Sequence, residues 1–373
     1  MDQQGINAQY ARLEEGILRR VKEVLSEGQY ILGRQVEELE QELARLVGRK
    51  HCIGVSSGTD ALVLALLAEG IGPGDGVFTT PFTFYATAEA IQQVGAQPVF
   101  CDIHPETFHL DPHLLSLEIR SVSRTGRLRP RAVIAVDLYG ACADYDRLES
   151  VCEERDLVLI EDAAQSMGAS RGGRMAGSFG KYAATSFFPT KPLGGYGDGG
   201  AVFCDDDEAA RKLRSLREHG RGEERYTHLQ AGRNARLDTI QAAILLEKLT
   251  VFSQEIEKRR AVAQQYSARL GGRVRVPDRE ICLTSAFSQY TITLKDRVQR
   301  DHLREELVRR GVEARVYYPL PLNRQPALAS LPQHAMPNAE EAAGRVLSLP
   351  IHPYLSQQEV DRICEWVLEI LDA

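Results

Sequence analysis

Residues 183–202 read AATSFFPTKPLGGYGDGGAV, and how this run is parsed decides the fold. Ala183 to Phe188 is a short apolar stretch suited to a strand. Pro189 and Pro192 then punctuate a turn that carries one lysine, Lys191. Glycines follow, and Gly200 to Phe203 reads as a second strand. Most lysines ride on solvated surfaces with the ammonium in water, so an exposed turn is the ordinary setting for such a residue. A lysine held between buried strands and a glycine loop is different. Lost hydration lowers the amine pKa, and a neutral amine can attack a carbonyl to give a Schiff base. The glycine loop, an acidic strand end at Asp162 and the serine of SFFPTK, Ser186, favour that second setting.

Gly195, Gly197 and Gly200 have the G-x-G-x-x-G spacing of a dinucleotide-binding turn. That turn needs a strand before the glycines and a helix after them. Here the chain runs on into GAVFCDDD, which is strand-like, so small residues serve instead to let the backbone pass close to a bound ring.

Upstream, HCIGVSS (51–57) leads directly into GTDALVLALLA (58–68). This junction puts Gly58 and Thr59 at a helix N-terminus, where free N–H groups and the helix dipole favour an anion such as phosphate. Simple N-capping by Ser57 or Thr59 is the plainer alternative. VFTT, FTFYATAEAIQQ, PVFCDI, a helix near 111–120, AVIAVDLYG, DYDRLESVCEERD and LVLIED continue the alternation. Repeated βα units of this length predict an α/β fold with a mostly parallel sheet flanked by helices. Ligands of such sheets collect at the carboxyl ends of strands, where Phe84, Asp162 and Gln165 fall. Taken singly, Asp162 is equally a helix cap, and a phenylalanine such as Phe84 is more often a core residue than a ring-stacking platform.

Residues 8–27 and 34–47 carry helical periodicity and end at Gly28 and Gly48. From Arg236 to about Leu270 a helical pattern exceeds the usual length and suits a bridge between domains. Beyond it come a strand QYTITL, a helix DHLREELVRRG, a strand VEARVYY, a Pro-rich loop and a closing helix QQEVDRICEWVLEIL. The expected division is a large domain over 1–250 and a small α+β C-terminal domain over 251–373.

The length of 373 residues suits two or three domains, and 43% hydrophobic content is enough for sizeable cores. A net charge of -7 with both signs interspersed offers no basic stripe, so no nucleic acid and no anionic membrane is expected as partner. ALVLALLA (61–68) is too short to span a bilayer, and MDQQGINAQYARLEEG has no apolar leader core, so a cytoplasmic location is expected. The 7 cysteines are scattered singly, which suits small buried hydrophobes and predicts no disulfide frame and no metal site.

GTDAL (58–62), PFTFYATAEAI (81–91), EDAAQSMGA (161–169), SFFPTKPLGGYGDGGAV (186–202) and NARLDTIQAAIL (234–245) together resemble the DegT/StrS-type pyridoxal-phosphate-dependent sugar-nucleotide aminotransferases. The likeness extends over nearly the whole chain, from GQYILG (28–33) to LPIHPYL (349–355). It implies the aspartate-aminotransferase fold, known as fold type I. SFFPTKPLGGYGDGG, YYPLPLNRQPA (317–327) and SLPIHPYL (348–355) most resemble the bacterial enzymes that aminate C3 of UDP-2-acetamido-2-deoxy-3-oxo-glucuronate for surface polysaccharide, including lipopolysaccharide O-antigen.

That resemblance implies a role for each motif. Lys191 would bind pyridoxal 5'-phosphate covalently and move the proton. Asp162 would face the pyridine nitrogen and keep it protonated. Gln165 would hydrogen-bond the phenolic oxygen, and Phe84 would stack on the ring. Gly58, Thr59 and Ser186 would hold the phosphate, completed by Asn234 of the neighbouring subunit in a homodimer with shared active sites. L-glutamate would leave its nitrogen as pyridoxamine 5'-phosphate, and the nucleotide sugar would take it. Arg236 is the candidate for a substrate carboxylate, with an interface salt bridge as its alternative role, and Tyr317 and Tyr318 are candidate sugar contacts.

Close relatives carry His-Tyr-Pro where this chain has Tyr317, Tyr318 and Pro319. That replacement keeps open a 3-oxo-6-deoxyhexose linked to dTDP or UDP, or a 4-oxo sugar nucleotide. Two readings of other classes stand beside these: a lyase or dehydratase on the same fold, against which Lys191 argues because the family's sugar dehydratases carry histidine there, and a cofactor-binding regulator.

Overall fold

The computed structural model describes residues 1, 3–224, 226–332 and 334–373. Two helices, α1 (Ile6–Glu27) and α2 (Arg34–Val47), lead into strand β1 (His51–Val55). There follow α3 (Gly58–Ala68), β2 (Asp75–Thr79), α4 (Ala86–Gln93), β3 (Gln97–Phe100), α5 (Pro112–Thr125), β4 (Arg129–Val136), α6 (Tyr145–Glu153) and β5 (Val158–Asp162). A short hairpin, β6 (Ser170–Arg171) and β7 (Arg174–Met175), precedes β8 (Tyr182–Ser186), β9 (Gly200–Cys204) and α7 (Asp207–Arg217).

These strands build a seven-stranded sheet in the order β1-β9-β8-β5-β4-β2-β3. Only β9 runs antiparallel to its neighbours. Both faces are covered, which is why β2, β9 and the inner part of β4 read as continuous apolar runs and show no alternation. The most apolar run in the chain, ALVLALLA, is buried almost all round as α3 and so is a core helix. Among the described residues no helix is long and apolar enough to cross a membrane.

The long helix α8 (Thr239–Leu270) serves two cores. Ala242, Leu245, Phe252 and Ile256 pack with residues under the sheet, whereas Val262, Tyr266 and Leu270 join a separate C-terminal core. That second core holds α9 (Arg279–Thr284), β10 (Tyr290–Thr293), α10 (Arg297–Arg309), β11 (Val346–Leu349) and α12 (Gln357–Asp372), whereas α11 (Pro337–Arg345) packs its alanines with Phe82, Leu138 and Tyr139. A capping box at Ser356 and Glu359 starts α12.

Three local expectations fail. VEARVYY is not a strand: only Arg315 bridges Ser348, and the partner of β10 is β11, in the SLPIHPYL region. The reason is that Tyr317 and Tyr318 leave the sheet to pack against Tyr139 and Phe82. Helix α8 starts at Thr239, because Ala235 is still extended and exchanges backbone bonds with Ser56 and Arg217. Helix α4 starts at Ala86, leaving FTFY as a bend that carries Phe84.

Candidate active site

Lys191 and Asp162 meet at the carboxyl edge of the sheet. Asp162 ends β5, and Lys191 lies in the turn that follows β8, the strand paired with β5. The turn is tied back by Lys191 N–H donating to Phe188 O at 2.9 Å and Gly195 N–H to Phe187 O at 2.7 Å. Desolvation lowers the Lys191 amine below an ordinary lysine, and the charge of Asp162 acts against that drop. For Asp162, 6% exposed, burial raises the carboxyl. The Thr87 hydroxyl (2.8 Å), the Ala164 N–H (3.2 Å) and Lys191 pull it back toward the anion. The arrangement therefore offers an amine easily made neutral facing a buried carboxylate.

A second feature lies beside them. Ser57 caps α3 by accepting from Asp60 N–H at 3.0 Å. The N–H groups of Gly58 and Thr59 then meet no acceptor among the described residues. A Cβ on Gly58 would fall 2.8 Å from Ser186 Cβ, so only glycine lets the Ser186 side chain lie against this helix end. The carboxylate of Asp60, in the same first turn, is neutralised by Arg233 Nε at 2.7 Å. The result is a small cup of free N–H groups and one hydroxyl, suited to phosphate.

Gln165 is buried; its Oε1 accepts from Tyr139 N–H at 2.7 Å and its Nε2 donates to the Tyr318 hydroxyl at 3.2 Å. Phe84 is 59% exposed, with its ring 6.4 Å from that of Tyr318. Tyr318 is therefore the hub between the two, and burial raises its phenol, with the charge of Asp162 adding to the rise.

The sequence-predicted residues thus gather into one group of Lys191, Asp162, Gln165, Phe84 and Tyr318 and an adjoining group of Gly58, Thr59 and Ser186. Asn234 and Arg236 form a pair of their own: Arg236 Nε donates to Asn234 Oδ1 at 2.9 Å, with Asn234 exposed. Among the described residues no hydrogen bond or ion pair joins this pair to Lys191. The Tyr317 hydroxyl donates to Gln3 Oε1 at 3.3 Å.

Two site residues escaped the sequence reading. Thr87 sits in the first turn of α4, within the motif PFTFYATAEAI, and only its contact with a strand end far along the chain gives it a role. Tyr139 has φ 62° and uses its N–H on Gln165 and its hydroxyl on Tyr317 O. Nothing in AVIAVDLYG separates it from a core tyrosine.

An amine facing a buried carboxylate, beside a phosphate cup, is the donor set that a pyridine aldehyde phosphate requires. A model of the DegT/DnrJ/EryC1/StrS aminotransferase family matches residues 11–368. The chain belongs to that family. Aminotransferases of this family use pyridoxal phosphate, and the cup and the Lys191–Asp162 pair fit that group. The chain is 45% identical over 357 residues, 95% of its length and 96% of the relative's, to a UDP-2-acetamido-2-deoxy-3-oxo-D-glucuronate aminotransferase of Pseudomonas aeruginosa. It is 38% identical over 370 residues, 97% of its length and 96% of the relative's, to a dTDP-3-amino-3,4,6-trideoxy-alpha-D-glucose transaminase of Micromonospora megalomicea. The crystal structure of DesV from S. venezuelae in complex with a ketimine intermediate superposes with a TM-score of 0.92 at 37% identity, covering 99% of this chain and 97% of that one.

Proposed function

We propose that this aminotransferase moves the amino group of L-glutamate to C3 of a UDP-linked 3-oxo sugar, UDP-2-acetamido-2-deoxy-3-oxo-glucuronate, for surface polysaccharide synthesis. The observation that carries the reading is the pairing of Lys191 with Asp162 beside the Gly58–Ser186 cup, in a chain 45% identical to the P. aeruginosa enzyme. Pyridoxal phosphate, when bound, supplies an electron-withdrawing ring that carries the amino group between the two substrates. Asp162 holds the pyridine nitrogen protonated, and Thr87 keeps that carboxyl ionised by donating to it. Lys191 would hold the cofactor and would take and return the substrate proton at Nζ, a task its desolvation favours. Gln165 orients the phenolic oxygen, Phe84 covers the ring, and Gly58, Thr59 and Ser186 hold the phosphate.

Two copies make the complete enzyme in this reading, with Asn234 and Arg236 reaching the partner's site. Exposed Leu18, Leu25, Tyr30 and Ile31 supply an apolar surface for the second copy. The chain divides within α8, near residue 250, into a large and a small domain. A reducing compartment such as the cytoplasm suits its free, buried cysteines.

One observation favours a second substrate. The family resemblance implies a histidine where this chain has Tyr317, and the Tyr317 hydroxyl donates to Gln3 Oε1. A 3-oxo-6-deoxyhexose nucleotide, which lacks the uronate carboxylate, needs no cation there. Incubating the pyridoxamine form with UDP- and dTDP-linked 3-oxo sugars, and detecting the amino product by mass, decides between them. Amination of the deoxyhexose alone rejects the uronate.

A further inference from the structure

We propose, on the reading of Gly58, Thr59 and Ser186 as a phosphate cup, that Arg233 is a positioning residue that sets the affinity of the cup by cancelling the charge of Asp60.

Two anions compete for one helix end. The N-terminus of α3 carries roughly half a positive charge, and Asp60, the acidic residue of its first turn, already lies in that field. A phosphate arriving at the N–H groups of Gly58 and Thr59 would find that end partly used and a carboxylate of its own sign close by. The Asp60 side chain is 17% exposed, so water screens it poorly.

The local chain nevertheless needs an acceptor at this position. Asp60 Oδ2 accepts from the Ser56 hydroxyl at 2.5 Å, fixing the turn from β1 into α3. A cation that offsets Asp60 therefore keeps both the turn and the phosphate.

Arg233 supplies that cation from a fixed place. Its backbone N–H donates to Leu216 O at 2.8 Å, and its carbonyl accepts from His219 N–H at 2.9 Å. Two residues on, Ala235 exchanges backbone bonds with Arg217 and Ser56. The segment thus lies extended between the end of α7 and the β1–α3 junction, where successive side chains alternate in direction. Arg233 turns to Asp60, Nε donating to Oδ1 at 2.7 Å, whereas Asn234 is exposed and bonds Arg236. Among the described residues no other cation pairs with Asp60.

Equilibrium dialysis of pyridoxal phosphate against the stripped full-length chain, at about 0.05 M and about 0.5 M salt, tests this. Arg233→Met should bind about tenfold more weakly at the lower salt, and most of that loss should vanish at the higher. Asp60→Asn, which keeps an acceptor for Ser56, should bind at least as tightly as the wild type. Added to Arg233→Met it should restore wild-type affinity, because no carboxylate then needs cancelling. A merely structural tie predicts the reverse, since either substitution breaks the same bond. Unchanged binding by Arg233→Met, weakened binding by Asp60→Asn, or a double variant as weak as Arg233→Met overturns the proposal. If circular dichroism shows Arg233→Met unfolded, Arg233→Gln replaces it with the same readout. Pyridoxal, which lacks the phosphate, separates this proposal from the cup. A wild type that binds pyridoxal as tightly as pyridoxal phosphate removes the cup and Arg233 with it. Strong preference for the phosphorylated form, left intact in Arg233→Met, removes Arg233 alone.

Discussion

The Thr87 hydroxyl donates to Oδ2 of Asp162 at 2.8 Å, joining the first turn of α4 to the end of β5 inside the buried site. This contact opposes the desolvation that raises the Asp162 carboxyl. Thr87→Val keeps the shape and removes the donor. A hydrogen bond to a charged group contributes about 1.5–3 kcal/mol, so kcat/KM should fall about 10- to 100-fold. Steady-state kinetics checks this, and an unchanged rate removes Thr87 from the account.

Gly58 and Ser186 give a prediction about cofactor affinity. Gly58→Ala puts a Cβ 2.8 Å from Ser186 Cβ, which must displace either the helix start or the serine. Ser186→Ala leaves the cup open but one donor short, so pyridoxal phosphate should bind about tenfold more weakly. Gly58→Ala should cost at least as much. Equilibrium dialysis of the cofactor measures both.

Lys248 gives a pH prediction. Its Nζ donates to Gly194 O at 2.6 Å, and burial lowers its pKa to about 8. The unfolded chain keeps that proton up to the ordinary value of 10.5. Between these limits the unfolded state binds the extra proton, so stability due to Lys248 rises with pH there. Relative to Lys248→Met, the wild type should gain up to about 3 kcal/mol across that window. Denaturant unfolding at pH 7.5 and about pH 10 reads the difference; parallel curves contradict the burial of the amine.

The pairing of Lys191 with its cofactor is checked by chemistry. Borohydride reduction of the loaded enzyme should leave a phosphopyridoxyl group on the peptide carrying Lys191. Lys191→Ala should lose turnover. Label found on Lys248, the other buried amine near the loop, would reassign the anchor.

Much of this was legible in the sequence because it lies within single motifs. β1 running into α3, the acidic end of β5 and the proline-lysine-glycine turn each carry their signal over a few residues. The antiparallel insertion of β9 was not legible, since a strand pattern gives no direction. Pairing of β10 with β11 was hidden by VEARVYY, whose β-branched and aromatic composition suits a strand but whose tyrosines turn inward. Thr87 and Tyr139 act through partners distant in the chain, so their roles appear only when the fold brings those partners together.

The central claim is that Asp162 faces the pyridine nitrogen of a cofactor anchored at Lys191. Nitrogen-15 NMR of enzyme loaded with pyridine-labelled pyridoxal phosphate tests it most directly. The wild type should show the protonated nitrogen, and Asp162→Asn should show it deprotonated, with kcat/KM reduced about 10²- to 10³-fold. A deprotonated nitrogen in the wild type, or a protonated one retained in Asp162→Asn, contradicts it.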